Sequence, residues 1–226
     1  MPISRPGISV IIPAYNAERY LEETVQSVRE QQWEGPLEII VVNDGSADGT
    51  EALAKSLGCR VISIPQSGPA AARNEGIKNA SNDLVFFLDA DDVLTEGCFE
   101  ALYGPMSQDP DVSAVFGKAK DFISPDVPGN EAKRIRCNDN GYEGRLTGCS
   151  FLKKEVVELV GLFDESLKSG ETVDWMVRLR ASAVRTAGIP DIVLLRRIHL
   201  SNMGRSDPRG EMMNYAAILR KRMKKK

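Results

Sequence analysis

Short apolar runs and helical stretches take turns along the first ninety residues, and that alternation constrains the fold more than any other feature. "ISVIIP" (8–13), "LEIIVV" (37–42), "RVISI" (60–64) and "DLVFFLD" (83–89) are rich in β-branched or aromatic residues and read as strands. Between the first two, Tyr20, Leu21, Thr24, Val25 and Val28 recur at helical spacing within residues 17–32. After the second strand, Asp48 followed by Glu51 looks like a capping pair for a helix that Gly58 stops. "GPAAARNEGIKNA" is an Ala-rich third helix. Strands that are apolar throughout, rather than alternating, suit a sheet covered by helices on both faces. The β-α-β-α order predicts an α/β protein with a mostly parallel, Rossmann-like sheet and right-handed crossovers.

Beyond residue 105 the pattern loosens. Residues 112–123 read as another strand, and the Pro-, Gly- and charge-rich stretch Ser124–Gly144 as a mobile loop. "CSFLKKEVVELVGLFDE" contains a short helix ended by Gly161. Residues 171–188 look like one amphipathic helix of about five turns, and "IPDIVLLRRIHL" (189–200) returns as a strand. The pattern divides the chain into 1–110 and 111–210, two halves of one domain, and a basic tail over 211–226.

Bulk properties narrow the function. The net charge of −3 gives no drive toward nucleic acid. No run approaches the roughly 20 apolar residues of a membrane span, and the start lacks a signal peptide's apolar core. Cys59, Cys98, Cys137 and Cys149 form no C-x-x-C pair, so idle thiols in a reducing cytoplasm are expected. With one histidine in the chain, chemistry needing a His pair is excluded.

In an open α/β sheet, ligands gather beyond the carboxyl ends of the strands. Here the first strand delivers Pro13, Tyr15 and Asn16 to that edge, the second Asp44, and the fourth Asp89 and Asp91. Crowding Asp89, Asp91 and Asp92 raises their pKa values unless a cation sits among them. The Asp-x-Asp spacing suits Mg²⁺ or Mn²⁺, which favour oxygen ligands. Neither G-x-G-x-x-G nor a Walker loop follows the first strand, which weighs against dinucleotides and P-loop chemistry. An ion bridging a diphosphate, beside an aromatic ring, fits displacement at a carbon bearing a nucleoside-diphosphate leaving group.

Taken in order, "SVIIPAYNAERYLEETVQSV", "EIIVVNDGSADGT", "AAARNEGIKNA", "FFLDADD" and "GLFDE" resemble the family-2 glycosyltransferases of the GT-A fold. The likeness is close over about residues 7–110 and looser to about 200. It implies inverting, metal-assisted transfer of a sugar from a nucleotide donor, often a UDP-sugar, to a glycan, lipid-linked or protein acceptor, in bacterial cell-surface polysaccharide chemistry. By this resemblance Pro13, Tyr15 and Glu18 line the nucleotide pocket and Asp44 binds the base. Arg73 approaches the base or diphosphate, Asp89 the ribose side, and Asp91 the metal, joined by His199 near the diphosphate.

The family commonly opens its long helix with Glu-Asp, the Asp being the general base. Here Glu171 is present, but Thr172 stands in the place of that Asp. Glu171 or Asp174, one turn apart, would take the role. The alternative is a nucleotide-sugar-binding protein with weak or lost transfer. Arg196 and Arg197 could meet phosphate, though in a strand only one can face it. The last seven residues hold six cations, which suits a cytoplasmic protein resting on the anionic inner face of a membrane.

Overall fold

A computed structural model describes residues 5–143, 147–167 and 169–202, together with Tyr215 and Ile218. The chain begins β1 (Ile8–Ala14), α1 (Leu21–Arg29), β2 (Leu37–Asp44), α2 (Thr50–Ser56), β3 (Arg60–Ile64), α3 (Pro69–Asn79) and β4 (Leu84–Phe87). It continues β5 (Val93–Leu94), α4 (Cys98–Gln108), β6 (Ala114–Ile123), α5 (Gly129–Ala132), β7 (Tyr142–Glu143) and β8 (Ser150–Lys153). It closes with α6 (Lys154–Val160), α7 (Glu171–Ala181) and β9 (Thr186–Ile198).

The strands form one mixed sheet in the order β3-β2-β1-β4-β8-β6-β9-β5, with β7 paired to β6. β3, β2, β1 and β4 are mutually parallel, and β6 and β9 are parallel to each other. β8 runs antiparallel between β4 and β6, and β5 antiparallel on β9. This is the mixed, mostly parallel α/β architecture of the GT-A fold, with helices on both faces.

Both sheet faces are covered, which explains the unbroken apolar runs. Val10, Ile12, Phe86 and Leu88 face one way, packing with Leu21, Val25 and Phe99. Ile11, Val85 and Phe87 face the other, against Ala72, Trp175 and Leu179. At Gly76 helix α3 lies directly on β1, since a Cβ there would come within 2.3 Å of Ile11 Cγ2. That approach lowers Arg73, one turn earlier, into the protein.

Several expected boundaries move. α1 begins at Leu21, because Asn16 takes a left-handed φ of 49° and turns the chain. Asp48 and Glu51 form no capping box: Asp48 accepts from the Thr50 amide, while Glu51 accepts from Asn43 and Ser63. The five-turn helix expected over 171–188 ends at Ala181. Thr186 to Gly188 instead extend β9 along the open side of β6, a partner that helical periodicity cannot reveal. The expected loop Ser124–Gly144 holds α5 and β7, and seats Val127 and Ile135 on Ile198. No helix among the described residues is long and apolar enough to cross a membrane. The basic tail expected over 211–226 lies outside the described residues, apart from Tyr215 and Ile218.

Candidate active site

The carboxyl ends of β1, β2 and β4 share one edge of the sheet. Ala14 pairs with Asn43, and Phe87 with Ile11. β4 thus stops short, the Leu88 amide bonds to Ile11 O at 3.0 Å, and the Asp89–Asp92 turn starts at that edge.

The crowded acids coexist because each has its own donors. Asp89 accepts from Arg73 Nη2 at 2.7 Å. Asp91 Oδ2 lies 2.9 Å from His199 Nε2 and accepts from Asn202 Nδ2 at 3.2 Å. Asp92 turns inward and accepts from the Arg197 amide at 2.9 Å. Burial first, then repulsion from Asp91 and Asp89, pushes Asp92 well above the usual carboxylate range. Thr24 Oγ1 donates toward the carbonyls of Ala90 and Asp92 and fastens the turn to α1.

Arg73 bridges two segments far apart in sequence. Besides Asp89, it pairs with Glu171 Oε1 at 2.8 Å, at the first residue of α7. Burial acts to lower the guanidinium pKa, and the flanking Asp89 and Glu171 more than offset it, so the value lies above normal. Arg73, Asp89 and Glu171 therefore form one network. Asp174 does not join it: its carboxylate pairs with Arg178 at 2.9 Å, and Arg178 donates to the carbonyls of Val160 and Leu162. That unit clasps α7 to the end of α6. Thr172 Oγ1 approaches Glu171 Oε1 at 3.4 Å. Gly170, just before Glu171, has φ 82° and is covered by Tyr215 and Ile218.

Where β1 ends, Tyr15 is about half exposed at the edge. The loop after β1 is zipped to the loop after β2: Glu18 accepts from the Gly49 amide at 2.9 Å, and Asn16 from the Ala47 amide at 2.8 Å. Pro13 lies within β1, paired with Val42. Asp44 is buried and accepts from the Ser67 and Gly68 amides, at 2.6 and 2.8 Å, holding the turn into α3.

Among the described residues, no three His, Cys, Asp or Glu side chains are grouped to cage a metal by themselves. Asp91, with His199 beside it at 2.9 Å, is the group that could hold a divalent ion here, since such ions are often bound by one or two carboxylates with phosphates and water completing the shell. Asp91 keeps 27% of its side chain open to solvent, so other ligands can reach it.

Sequence reasoning missed Asn202, Thr24, Tyr20 and Glu23, which hold the acid turn or Arg197. Tyr20 and Thr24 carried a signal only as helix-face positions, and nothing in the sequence tied them to partners 66 or more positions away. Of Arg196 and Arg197, it is Arg197 that turns to the acids, while Arg196 sits 3.9 Å from Asp121.

The sequence pattern described as Glycosyl transferase family 2 matches residues 9–159. An uncharacterized glycosyltransferase of Rickettsia typhi, RT0329, is 32% identical over 79% of this chain and 60% of its own length. Glycosyltransferase GlyG of Streptococcus pneumoniae is 26% identical over 95% of this chain and 66% of its own. Among solved structures, S. aureus TarS 1–349 in complex with UDP-GlcNAc superposes with a TM-score of 0.71, at 22% identity, over 88% of this chain and 61% of that one. The chain thus spans 60–66% of the length of these two relatives.

Proposed function

The chain belongs to glycosyl transferase family 2, and on that premise we propose that it moves a sugar from a nucleotide-diphosphate donor to an acceptor hydroxyl, with inversion and metal assistance. The observation that carries the reading is the acid corner. Asp89 with Arg73, and Asp91 with His199, meet at the edge where β1 and β2 also end. The TarS complex with UDP-GlcNAc supports a UDP-sugar as donor.

In this reading Pro13, Tyr15 and Glu18 line the nucleotide pocket, and the exposed Tyr15 ring is available for stacking. Each Asp44 oxygen already accepts one amide and keeps a second lone pair for a base N–H. Arg73 and Asp89 address the ribose and diphosphate. A bound Mn²⁺ or Mg²⁺, held by Asp91 and His199, would neutralise the departing diphosphate. Inversion requires the acceptor hydroxyl to arrive opposite the leaving group and surrender its proton. Glu171 is the base we assign, because Asp174 is tied to Arg178. Arg73 and Thr172 both approach Oε1 of Glu171, leaving Oε2 to take the proton.

The receiving hydroxyl belongs to a glycan, lipid-linked or protein acceptor of cell-surface polysaccharide assembly. The polybasic end suits contact with the anionic inner face of a membrane from the cytoplasm.

The test is donor hydrolysis and transfer over a panel of UDP-sugars with Mn²⁺, comparing wild type with Asp91→Ala. Equal turnover in both proteins removes the metal role. A second reading, a nucleotide-sugar-binding protein with weak or lost transfer, is favoured by Thr172, which stands where the family commonly places its base. Thr172→Asp then raises turnover sharply, and an unchanged rate counts against that reading.

A further inference from the structure

We infer that Arg197 is the positioning residue of the acid corner: it fixes the Asp91–His199 pair from behind without touching substrate. This rests on the metal reading above and goes beyond it, by locating what makes that pair a preformed site.

The Arg197 side chain is 3% exposed and touches four segments. Its Nε donates to the Asp91 carbonyl at 2.8 Å, and its own amide donates to Asp92 Oδ1 at 2.9 Å, so both ends of that dipeptide are held. Nη2 meets Glu23 of α1 at 2.5 Å, and Nη1 lies 3.4 Å from Ser124 Oγ. The guanidinium plane is flanked by Tyr20 at 5.0 Å and Phe122 at 4.6 Å. Two residues on, just past the end of β9, comes His199, whose ring lies 4.8 Å from that of Tyr20. The imidazole's other nitrogen meets Ser201 Oγ at 2.9 Å.

These contacts divide the acids by role. With Asp92 drawn inward by the Arg197 amide, Asp91 is the acid left at 2.9 Å from His199 and open to solvent. A guanidinium suits this place because its planar fork donates to a carbonyl and a carboxylate while its carbon lies over two aromatic rings. An ammonium keeps the charge near Glu23 but neither stacks nor donates along the fork. Outer-shell partners of this kind typically change metal affinity by 10–100-fold when replaced.

The test is Mn²⁺ binding to the full chain, with and without UDP, by electron paramagnetic resonance of free Mn²⁺. It compares wild type, Arg197→Lys, Arg197→Met and the surface control Arg60→Met. The Lys variant is expected to keep its fold and lose affinity about tenfold, and the Met variant to lose up to about a hundredfold. The control is expected to match wild type. Donor turnover by Arg197→Lys should recover at high Mn²⁺, because the defect is in the site rather than in the fold. If Arg197→Met does not fold, Arg197→Lys decides. Wild-type Mn²⁺ affinity in a folded Arg197→Lys protein, with only its urea midpoint shifted, makes Arg197 a structural arginine and overturns the inference alone. A wild-type chain that binds no Mn²⁺ even with UDP overturns the metal reading, and the positioning role with it.

Discussion

Replacing Arg73 by Met tests the network at the heart of the site. Methionine keeps an unbranched stem near Phe163, whose ring lies 5.8 Å from the guanidinium carbon, and removes the charge. Two carboxylates lose their partner, in different surroundings. Glu171 has 10% of its side chain exposed, whereas Asp89 has 55%. Leaving a buried charge uncompensated costs about 3–5 kcal/mol, while an exposed pair is worth about 0.2–1 kcal/mol. Arg73→Met should therefore destabilise by about 3–4 kcal/mol, nearly all of it through Glu171. A second change separates the partners. Adding Glu171→Gln to Arg73→Met should recover most of the loss, giving a coupling of about 2–3 kcal/mol, while Asp89→Asn should couple by less than about 1 kcal/mol. Urea unfolding at unchanged m-value measures all of these as midpoint shifts. An Arg73→Met cost below about 1 kcal/mol, or a larger cycle for Asp89 than for Glu171, would show that burial does not rank these pairs.

The two acids of α7 should separate by phenotype. Glu171→Gln should lower kcat by at least about 100-fold, whereas Asp174→Asn should chiefly lower the urea midpoint, by losing the Arg178 clasp; donor kinetics beside denaturation curves distinguish them. Gly76→Ala places a methyl 2.3 Å from Ile11 Cγ2. Overpacking of about 1–3 kcal/mol should outweigh a helix-propensity gain of about 1 kcal/mol, so a stabilised variant would mean that α3 can lift off β1. Burial acts to raise the Glu38 pKa, but hydrogen bonds from Ser9 and Ser81 outweigh it and bring the value below its ordinary 4.5. A depressed carboxylate contributes stability above its unfolded pKa and loses it as pH falls through the folded one. The stability gap between wild type and Glu38→Gln should therefore be full near neutrality and close in acid below about 4.5; a gap that widens there contradicts the sign.

The first half of the fold, and the sheet edge where the polar residues gather, are legible in the order of residues alone. Apolar runs such as "SVIIP" and "VFF" name strands buried on both faces, and parallel strands must place Tyr15, Asp44 and Asp89 at one edge, whichever residues follow. Thr172 and the choice between Glu171 and Asp174 were visible as a question. What separates the two acids is tertiary: Arg73 from α3 reaches Glu171, and Arg178 takes Asp174. The same holds for the three crowded acids. Their sequence spacing announces repulsion, but the donors that relieve it come from residues 73, 197, 199 and 202, delivered by α3 and by the end of β9. Helical periodicity likewise ran past Ala181, because the strand partner that claims Thr186 onward is β6, some 70 residues earlier. Local pattern records the surface a segment must bury, whereas the identity of a distant hydrogen-bond partner is fixed only once the chain has closed around it.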